Sequence, residues 1–494
     1  MFDFALGRIG AVGAAIYANS SPKDCCYVLA HSDAVGVLVQ DEEQRAKVTD
    51  AGVAHVVSFA ELDELRARGR AFAAEHPTVL ADAEAAVGED DLFTFIYTSG
   101  TTGPPKACMI RHRNYYEMAG CTDRVPEFAI ADDVMLLYLP LAHNFGRLMH
   151  LLGAHVGYTI AFCPDPLRVA EVMPAVRPTL LPSVPRLYEK VHTALLAQFE
   201  ETSGAKRRLL DWALGVGRRA SELRQQGRPL PSGLALQHRI ADRLVFHKVK
   251  DRLGGRLRLG VSGGAPLAVE IAELFHTLDI LIIEGWGLTE CTTAASVNRP
   301  GRFRFGTVGP ALPGFEVRTD EDGELLIRSE TIFAGYYKDE EATREVLLDD
   351  GWLRSGDVGT IDQDGFISIT DRKKDILVTA GGKNVSPQNL ENALKLSPLV
   401  SQALVVGDRR PYVAALITVD PATSGGLTPG QVHDRLEAIV EGVNGDLSRF
   451  EQIKRFTVLP RDFSADEGEV TPTLKLKRRV CAEHFAAEIE SLYD

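Results

Sequence analysis

The apolar run at residues 92–96 breaks into a stretch rich in hydroxyl groups and glycines, and this junction constrains the fold most strongly. Residues 97–106 have the sequence YTSGTTGPPK. A short apolar run that ends in Ser, Thr, Gly and Pro predicts a buried strand leading into a loop. Hydroxyls and backbone N–H groups can bind an anion there, and a lysine balances its charge. The candidate anion-binding residues are Thr98, Ser99, Gly100, Thr101, Thr102, Gly103 and Lys106.

Taken alone, the S-G-T-T-G core of this stretch is equally compatible with a glycine-rich surface turn. It is not a Walker phosphate loop, because Lys106 follows two prolines and no Gly-Lys-Ser/Thr is present. The whole ten-residue string is more specific than its parts, and the rest of the chain has to decide between the two interpretations.

Four further segments follow in a fixed order. They are EGWGLTE at 284–290, SGD at 355–357, DRKKD at 371–375 continuing into GGKNVSP at 381–387, and TPTLKLKRR at 471–479. Together with residues 97–106, this series resembles the motifs of the acyl-adenylate-forming enzymes, and most closely those of the long-chain fatty acyl-CoA synthetases. The resemblance covers residues 95–479.

The resemblance implies an ATP-dependent ligase. It would convert a medium-to-long-chain fatty acid to acyl-AMP and pass the acyl group to CoA, with ATP, Mg²⁺ and CoA as cofactor and co-substrates. Two alternatives stay open: a fatty acyl-AMP ligase that passes the acyl group to a carrier protein, and a truncated, inactive homologue that only binds nucleotide or lipid. The segment 357–375 has no insertion of the kind that carrier-dependent relatives usually have near the domain junction.

The resemblance also assigns roles around the nucleotide. The loop at 98–106 would hold the β- and γ-phosphates, Thr289 the α-phosphate, and Glu290 the Mg²⁺ ion. Outside this series, a Thr-Glu pair more commonly caps a helix. Trp286 would lie against the adenine in place of the family's usual tyrosine, and its indole offers a larger face but no hydroxyl. The remaining nucleotide-binding candidates are Gly263, Gly264, Ala265, Glu284, Gly285 and Gly287.

Four residues near the junction and the C-terminus complete the implied machinery. Asp357 would accept hydrogen bonds from both ribose hydroxyls, which suits the two oxygens of a carboxylate. Arg372 would add a ribose or phosphate contact, and Lys374 would be the hinge between domains. Lys475 would be the cation of the adenylation step; the alternative is that it belongs to a basic tail with its neighbours at 477–479.

Three more positions concern the acyl group and the thiol. His143 matches the gate between the acyl and thiol channels of the family, although a lone histidine is commonly a buried residue with a satisfied hydrogen bond. Gly381 and Gly382 resemble the loop that lines the pantetheine tunnel after the small domain rotates. Glycines there would allow a narrow chain to pass close to the backbone.

The order of apolar runs predicts the fold class. Short runs alternate with helical patterns as far as about residue 300, which indicates an α/β fold with largely parallel sheets. Asp-Gly pairs at 322–323, 350–351 and 364–365 then predict antiparallel hairpins. We expect a large domain at 1–373, short of the family's usual N-terminal portion, and a smaller, mobile α+β domain at 374–494. The predicted strands are 35–39, 92–97, 134–139, 179–181, 257–261 and 278–283, with a helix at 60–75.

The charge distribution excludes one class of partner and suggests another. A net charge of −14 over 494 residues argues against a nucleic-acid-binding protein. Residues 201–258 nevertheless carry 14 Lys/Arg against 5 Asp/Glu, a local +9. A basic amphipathic helix can lie on an anionic membrane surface, and a solvated basic face on an ordinary packed helix is the alternative.

The apolar runs and the cysteines predict a cytoplasmic protein, with at most peripheral contact at the inner membrane face. No apolar run approaches the roughly 18 residues of a membrane span. The seven cysteines are scattered and include no C-x-x-C pair, so we expect reduced thiols that mostly fill the core. No metal-binding motif is present, so we expect any metal to arrive with a nucleotide. The sequence leaves the oligomeric state open.

Overall fold

The computed structural model describes residues 2–98, 104–445, 447–464, 466–471 and 475–494. Five predicted phosphate-binding residues therefore lie outside the described residues: Ser99, Gly100, Thr101, Thr102 and Gly103. The same holds for residues 472–474 of the C-terminal lysine segment.

The described residues form twenty strands. These are β1 Gly13–Ala14, β2 Gly36–Val39, β3 His55–Ser58, β4 Leu92–Thr98, β5 Lys106–Arg111, β6 Val134–Leu137, β7 Thr159–Phe162, β8 Leu180–Ser183, β9 Leu259–Ser262, β10 Ile282–Trp286, β11 Ser296–Val297, β12 Glu316–Thr319, β13 Glu324–Arg328, β14 Leu353–Ile361, β15 Ile367–Arg372, β16 Leu377–Val378, β17 Asn384–Val385, β18 Val400–Val406, β19 Val413–Val419 and β20 Ile453–Val458.

Nineteen α-helices lie among the described residues. These are α1 Phe2–Arg8, α2 Pro22–His31, α3 Glu42–Lys47, α4 Leu62–Glu75, α5 Val79–Ala86, α6 His112–Asp123, α7 Asn144–Val156, α8 Val169–Val176, α9 Pro185–Glu201, α10 Gly204–Gln225, α11 Ser232–Ala241, α12 His247–Arg252, α13 Val269–Thr277, α14 Glu340–Val346, α15 Pro387–Lys395, α16 Pro421–Ser424, α17 Pro429–Gly445, α18 Arg478–His484 and α19 Ala486–Ser491.

The central sheet has six strands in the order β11-β10-β9-β8-β6-β7. All its pairs are parallel except β10 with the edge strand β11. Helices α7, α8 and α13 connect successive strands, because parallel strands need a crossover connection between them. The predicted α/β class is therefore confirmed. The carboxyl ends of β9 and β10 lead directly into the predicted adenine-binding segments, which places both at one edge of this sheet.

Strands β1, β4 and β5 form a separate small sheet, in which β4 and β5 are antiparallel. Thr98 at the end of β4 lies opposite Lys106 at the start of β5. The two ends of the predicted phosphate loop are thus held side by side by a β-ladder.

The Asp-Gly pairs lie at chain reversals, as predicted. The antiparallel sheet β12-β13-β14-β15 has its first hairpin turn at Gly323 and its last at Gly365, both with positive φ. Gly351, with φ +81°, turns the chain just before β14. Only glycine adopts this backbone region at no steric cost. The predicted antiparallel segment after residue 300 is therefore confirmed.

The C-terminal part, residues 374–494, has α+β architecture and two hydrophobic cores of its own. Its three-stranded sheet β18-β19-β20 has one antiparallel and one parallel pair. One face packs on α15 and α17 through residues such as Leu394 and Leu436, and the other on α18 and α19 through residues such as Leu404 and Cys481. Each of these four side chains is buried.

Two predicted elements differ from the structure at their boundaries. The apolar run 278–283 predicts one strand, but Leu278 caps helix α13, and β10 begins only at Ile282. Asp279, with φ +67°, turns the chain between them, and a run of apolar residues cannot reveal that turn. The predicted helix at 60–75 begins with a 3₁₀ turn, Phe59–Glu61, before α4.

No helix among the described residues is both long and apolar enough to cross a membrane. The seven cysteines are unpaired, and six of them are buried while Cys26 is half-buried. The expectation that they mostly fill the core is confirmed.

Candidate active site

Asp357 lies at the centre of the site and has two partners. The indole Nε1 of Trp286 donates a hydrogen bond of 2.7 Å to its Oδ2, and the guanidinium Nε of Arg372 lies 3.0 Å from its Oδ1. Arg372 is the cross-strand neighbour of Asp357 in the β14–β15 ladder, whereas Trp286 ends β10 of the central sheet. The carboxylate therefore joins the two sheets, and each of its oxygens has a fixed donor.

The chain after Trp286 turns sharply into the predicted α-phosphate and metal residues. A side chain at Gly287 would lie 2.3 Å from the carbonyl oxygen of Thr293, and one at Gly285 would lie 3.2 Å from that of Ser296. Glycine at 287 is thus required by close backbone approach. Thr289 and Glu290 then form a short 3₁₀ turn, Thr289–Cys291, with both side chains half-buried.

Glu290 is linked to Lys106 through a tyrosine. The hydroxyl of Tyr336 donates to Glu290 Oε1 at 2.6 Å, and Lys106 Nζ lies 5.2 Å from the centre of the same ring. Burial, aided by the Glu290 charge, holds the pKa of Tyr336 far above its ordinary range, so the hydroxyl stays protonated and can donate. Lys106 also pairs with Asp339 at 3.5 Å.

The segment 263–265 packs between the central sheet and the C-terminal lysine. Gly264 has φ +86°, and a side chain there would reach to 3.9 Å from the Lys475 Cε atom. Gly263 donates its N–H to the carbonyl of Ser183 at 3.1 Å. Ala265 follows at the half-exposed turn. This loop therefore forms one wall of the cleft.

Glu284 has a structural contact that the motif did not reveal. Its Oε2 accepts a hydrogen bond of 2.9 Å from the backbone N–H of Leu267, and only 7% of the residue is exposed. Burial raises the pKa of Glu284 to about 7, and the bond from Leu267 opposes this rise. The side chain holds the loop after Gly264 against β10.

Lys475 reaches this cleft from the C-terminal part. Its backbone N–H donates to Thr471 Oγ1 at 3.0 Å, and its carbonyl accepts from the Thr471 N–H at 2.7 Å. The side chain keeps access to solvent within the cleft, yet protein surrounds it on most sides. This burial lowers the pKa of Lys475 to about 8; the charge of Arg372 acts in the same direction, and Asp357 opposes it.

His143 lies within electrostatic range of the same lysine. It precedes helix α7, and its Nδ1 accepts a hydrogen bond of 3.2 Å from the N–H of Phe145. Burial lowers the pKa of His143 to about 4, and the Lys475 charge contributes. The imidazole is therefore neutral at physiological pH. The imidazole accepts a hydrogen bond from a free backbone N–H at the start of helix α7. It also borders the cleft.

Polar contacts hold the C-terminal part against the large sheet in this arrangement. The guanidinium of Arg186 donates to the Ser401 carbonyl at 3.0 Å, and Lys395 lies 3.5 Å from Glu189. Both large-domain residues lie in the first turns of α9. These contacts hold the C-terminal part where the charges of Asp357 and Arg372 act on Lys475.

The two glycines that are predicted to line the pantetheine tunnel lie away from this cleft. Gly381 and Gly382 are in the turn between β16 and β17, where Gly382 has φ +69° and a Cβ added to it would have no neighbour within 4 Å. Gly381 borders an open cleft of about 540 Å³. The other residues that line this second cleft are mostly basic or aromatic: Thr379, Lys383, Pro411, Tyr412, Arg449, Phe450, Lys454 and Arg455. The predicted hinge Lys374 is exposed in the segment between β15 and β16.

The structure thus brings most predicted residues to one cleft and separates the glycine pair from it. Thr98, Lys106, Thr289, Glu290, Trp286, Asp357 and Arg372 come from the large part, and Lys475 joins them. Sequence reasoning missed Tyr336 and Asp339, which position Glu290 and Lys106. The signal available in the sequence was Gly335 followed by Tyr336 and Tyr337, since glycine is common where the backbone approaches a ligand closely.

Glu290 fits a magnesium ion that arrives with nucleotide phosphates. One of its oxygens accepts from Tyr336, and a carboxylate retains further lone pairs for a cation. Mg²⁺ is commonly held by one or two carboxylates plus substrate phosphates. Within the part of the chain that the structure describes, no group of three or more His, Cys, Asp or Glu side chains could hold a metal. A magnesium ion at Glu290 would therefore depend on phosphate oxygens.

Two family models match the chain. One, described as an AMP-binding enzyme, matches residues 1–337. The other, described as the AMP-binding enzyme C-terminal domain, matches residues 374–494.

Curated relatives match over most or all of the chain. The long-chain-fatty-acid–CoA ligase FadD15 of Mycobacterium bovis is 37% identical over 521 aligned positions, which cover 100% of this chain and 86% of that protein. The human long-chain-fatty-acid–CoA ligase 1 is 33% identical, and the match covers 82% of this chain and 61% of that protein.

Solved structures share the fold. The adenylation domain of a carboxylate reductase from Mycobacterium chelonae has a TM-score of 0.76 at 24% identity, covering 99% of this chain and 78% of that one. ATP-bound MatB from Rhodopseudomonas palustris has a TM-score of 0.68 at 22% identity, covering 98% and 85%.

Proposed function

The chain belongs to the AMP-binding enzyme family, and we propose that it is a long-chain fatty acid–CoA ligase that forms AMP. It activates a medium-to-long-chain fatty acid with ATP and then transfers the acyl group to CoA. The observation that carries the proposal is the position of Lys475, which lies with Asp357 and Arg372 although more than a hundred residues separate them in the chain. The curated relatives that match the whole chain support the long-chain substrate.

The first half-reaction turns a poor electrophile into a reactive one. A carboxylate oxygen of the fatty acid attacks the α-phosphorus of ATP, the bond to the β-phosphate breaks, and pyrophosphate leaves. Negative charge that shifts onto the α-phosphate oxygens would be stabilised by the ammonium of Lys475 and a hydrogen bond from Thr289. Such positioned charges commonly supply the largest share of catalysis. The loop from Thr98 to Lys106 would hold the departing phosphates.

The nucleoside would be held by the three-residue cluster at Asp357. Its carboxylate already accepts from Trp286 and pairs with Arg372, so its orientation is set before ATP binds. We propose that the ribose hydroxyls donate to the remaining lone pairs of the carboxylate. The adenine would lie between Trp286 and the segment Gly263, Gly264 and Ala265, with Glu284, Gly285 and Gly287 shaping the backbone around it.

When bound at Glu290, a magnesium ion would neutralise phosphate charge. The residues of this chain that prepare the place are Glu290 and Tyr336, because the phenol hydroxyl fixes one carboxylate oxygen and leaves the other free to ligate.

The second half-reaction requires a thiol to reach the acyl carbonyl. The sulfur of CoA attacks that carbon and its proton passes to solvent, while the bond from the carbon to the phosphate oxygen breaks and AMP leaves with its electron pair. We propose that the small domain, 374–494, turns about Lys374 so that Gly381 and Gly382 replace Lys475 at the large domain, 1–373. The neutral His143 would separate the acyl and thiol channels.

We further propose that the enzyme is cytoplasmic and works in peripheral contact with an anionic membrane. The unpaired thiols support a reducing compartment. The local charge of +9 at 201–258 supports attraction to anionic lipid. Fatty acid is concentrated in membranes, so this contact would raise the supply of substrate.

The test is to incubate the protein with ATP, Mg²⁺ and palmitate, with and without CoA. We expect stoichiometric AMP and palmitoyl-CoA when CoA is present, and only pyrophosphate and bound palmitoyl-AMP when it is omitted. A parallel reaction replaces CoA with a phosphopantetheinylated acyl carrier protein. Transfer to the carrier but not to CoA would identify the acyl-AMP ligase instead, and absence of pyrophosphate would identify an inactive homologue.

A further inference from the structure

Helices α10 and α11 form an antiparallel hairpin on the surface of the large domain. Arg219 of α10 donates to the side-chain oxygen of Gln237 of α11 at 3.2 Å, so these two positions lie side by side. A five-residue π turn, Asp242–Phe246, continues α11 directly into α12. The inner side of the hairpin packs on the core through Ala213, Val216 and Phe246.

The outer side of this hairpin carries large apolar side chains that are exposed to solvent. Leu236, Ile240 and Leu244 follow at four-residue intervals, which places them on one face of α11 and of the π turn that continues it. Their exposed fractions are 57%, 43% and 44%. Trp212 of α10 is 38% exposed, and the antiparallel pairing through Arg219 and Gln237 places it toward Leu244. These four side chains form an apolar stripe across the two helices.

Cations without acidic partners surround this stripe. On the inner flank, Arg224 and Lys250 pair with Asp279, and Arg258 pairs with Asp133. On the outer side, among the described residues, none of five cations has an acidic oxygen within 4.0 Å. These are Arg208, Arg219, Arg239, Arg243 and Lys248. We call the apolar stripe and these five cations the hairpin face.

We propose that the hairpin face binds the surface of an anionic lipid bilayer. Exposed apolar side chains beside unpaired cations are typical of helices that lie in a membrane interface, where the amphipathic ring of tryptophan is also favoured. The rest of the chain carries a net −23, outside residues 201–258, and would be repelled by anionic headgroups. Charge therefore selects this face as the one that approaches the bilayer.

The same charges disfavour a second copy of the chain as the occupant. A symmetric dimer through the hairpin face would place identical cation clusters against each other, and like charges at close distance are destabilising. Anionic headgroups supply the complementary charge, and the acyl region accepts the apolar stripe. The advantage to catalysis rests on the proposed function, whereas the binding itself does not.

The test measures co-sedimentation with vesicles of phosphatidylcholine and phosphatidylglycerol, with phosphatidylcholine alone as the reference. No ATP, CoA or fatty acid is added, so the result does not depend on activity. We expect binding to the anionic vesicles at 0.1 M salt and its loss at 1 M, because the Debye length falls from about 10 Å to about 3 Å. Equal binding to both vesicles, or to neither, would overturn the proposal.

Two variants separate charge from apolar contact. The first replaces Arg208, Arg219, Arg239, Arg243 and Lys248 with glutamine, and the second is Leu236→Ser with Ile240→Ser and Leu244→Ser. We expect the first to reduce vesicle binding at least tenfold, since each cation near the surface contributes about 1 kcal/mol. We expect the second to reduce it as well, because binding of an interfacial helix also depends on the apolar area that it buries. The matched control replaces five exposed arginines elsewhere with glutamine: Arg68, Arg70, Arg344, Arg409 and Arg435.

Thermal melting and activity on a short-chain acid check that all variants fold. An unchanged affinity in the first variant, or an equal loss in the control, would show that the hairpin face does not direct docking. A serine variant that keeps vesicle binding but loses self-association would identify a second copy as the occupant. An active enzyme that ignores vesicles would overturn the membrane contact but not the ligase activity, and a vesicle-binding protein without activity would overturn the ligase activity but not the docking.

Discussion

The indole Nε1 of Trp286 lies 2.7 Å from Oδ2 of Asp357, and this buried hydrogen bond joins the central parallel sheet to the antiparallel sheet. Trp286 is only 8% exposed and Asp357 only 5%. The carboxylate therefore loses most of its contact with water and depends on protein donors for its orientation. A tyrosine or phenylalanine ring could offer a face to adenine but has no ring N–H at this position.

Replacing Trp286 with phenylalanine should weaken nucleotide binding. The variant keeps an aromatic face but loses a hydrogen bond to a charged group, which contributes about 1.5–3 kcal/mol. We expect the Kd for AMP, measured by calorimetry, to rise about 10- to 100-fold. The control ligand is 2′-deoxy-AMP, which should be affected less because it lacks one ribose hydroxyl. An unchanged Kd would show that Asp357 is oriented adequately without the indole.

Lys475→Ala should abolish adenylation and spare the second half-reaction. Negative charge develops at the α-phosphate in both steps, but in the proposed rotation Lys475 lies beside it only in the first, where loss of one such contact costs roughly 2.7–4 kcal/mol. Pyrophosphate exchange should therefore fall about 100- to 1,000-fold, while thioester formation from supplied palmitoyl-AMP stays near normal. Lys477→Ala is the matched control, since it removes a neighbouring cation. Equal losses in both half-reactions would contradict the role given to Lys475.

Activity should also depend on the ionisation of Lys475. Its pKa of about 8 in the free enzyme means that the ammonium is present below pH 8 and lost above it. The kcat/KM for ATP reports free-enzyme pKa values, so we expect it to decline above about pH 8. Bound ATP phosphates favour the charged form, so the decline in kcat should lie at higher pH. In Lys475→Arg the alkaline decline should disappear, because a guanidinium stays charged; an unchanged profile would assign the decline to another group.

Glu284 should make the protein less stable as the pH rises. Its pKa of about 7 in the folded state exceeds the ordinary value of 4.5, so the folded state retains a proton that the unfolded state releases. Its contribution is fully present below about pH 4.5 and is lost as the pH rises through 7, a change of about 3 kcal/mol.

Glu284→Gln tests that titration without removing the acceptor for the Leu267 N–H. We expect the variant to melt at a higher temperature than the parent at pH 8 and at a similar temperature at pH 4.5. Glu273→Gln, on the neighbouring helix α13, provides a control whose difference from the parent should not vary in this way. A constant difference for Glu284→Gln across pH would mean that Glu284 does not titrate in this range.

Gly382→Leu should give the opposite pattern to Lys475→Ala. In the present arrangement nothing lies within 4 Å of a Cβ added at 382, so adenylation measured by pyrophosphate exchange should fall little. After rotation, a leucine would obstruct the thiol, and thioester formation should fall at least tenfold. Because φ is +69° at this position, Gly382→Ala serves as the control for backbone strain. Exchange that falls as far as thioester formation would exclude the tunnel role.

The sequence alone determined the class of fold and predicted most residues of the candidate site. Both follow from local order: apolar runs ended by turn residues give βα units, and short motifs keep their spacing wherever they lie. The parallel central sheet and the Asp-Gly turns after residue 300 are predicted on this basis and are confirmed. The site roles assigned through motif resemblance remain predictions.

Only the tertiary structure decided which of these residues meet. Trp286 and Asp357 are joined because two sheets pack together, and Tyr336 reaches Glu290 because residues 334–337 lie beside β5. Lys475 lies at this cleft because the C-terminal part packs against α9, through contacts such as the hydrogen bond from Arg186 to Ser401. Likewise, the sequence showed fourteen cations at 201–258, but pairing with Asp279 and Asp133 decided which remained free. Local patterns specify elements, whereas contacts between distant residues arise from packing, which no short stretch of sequence encodes.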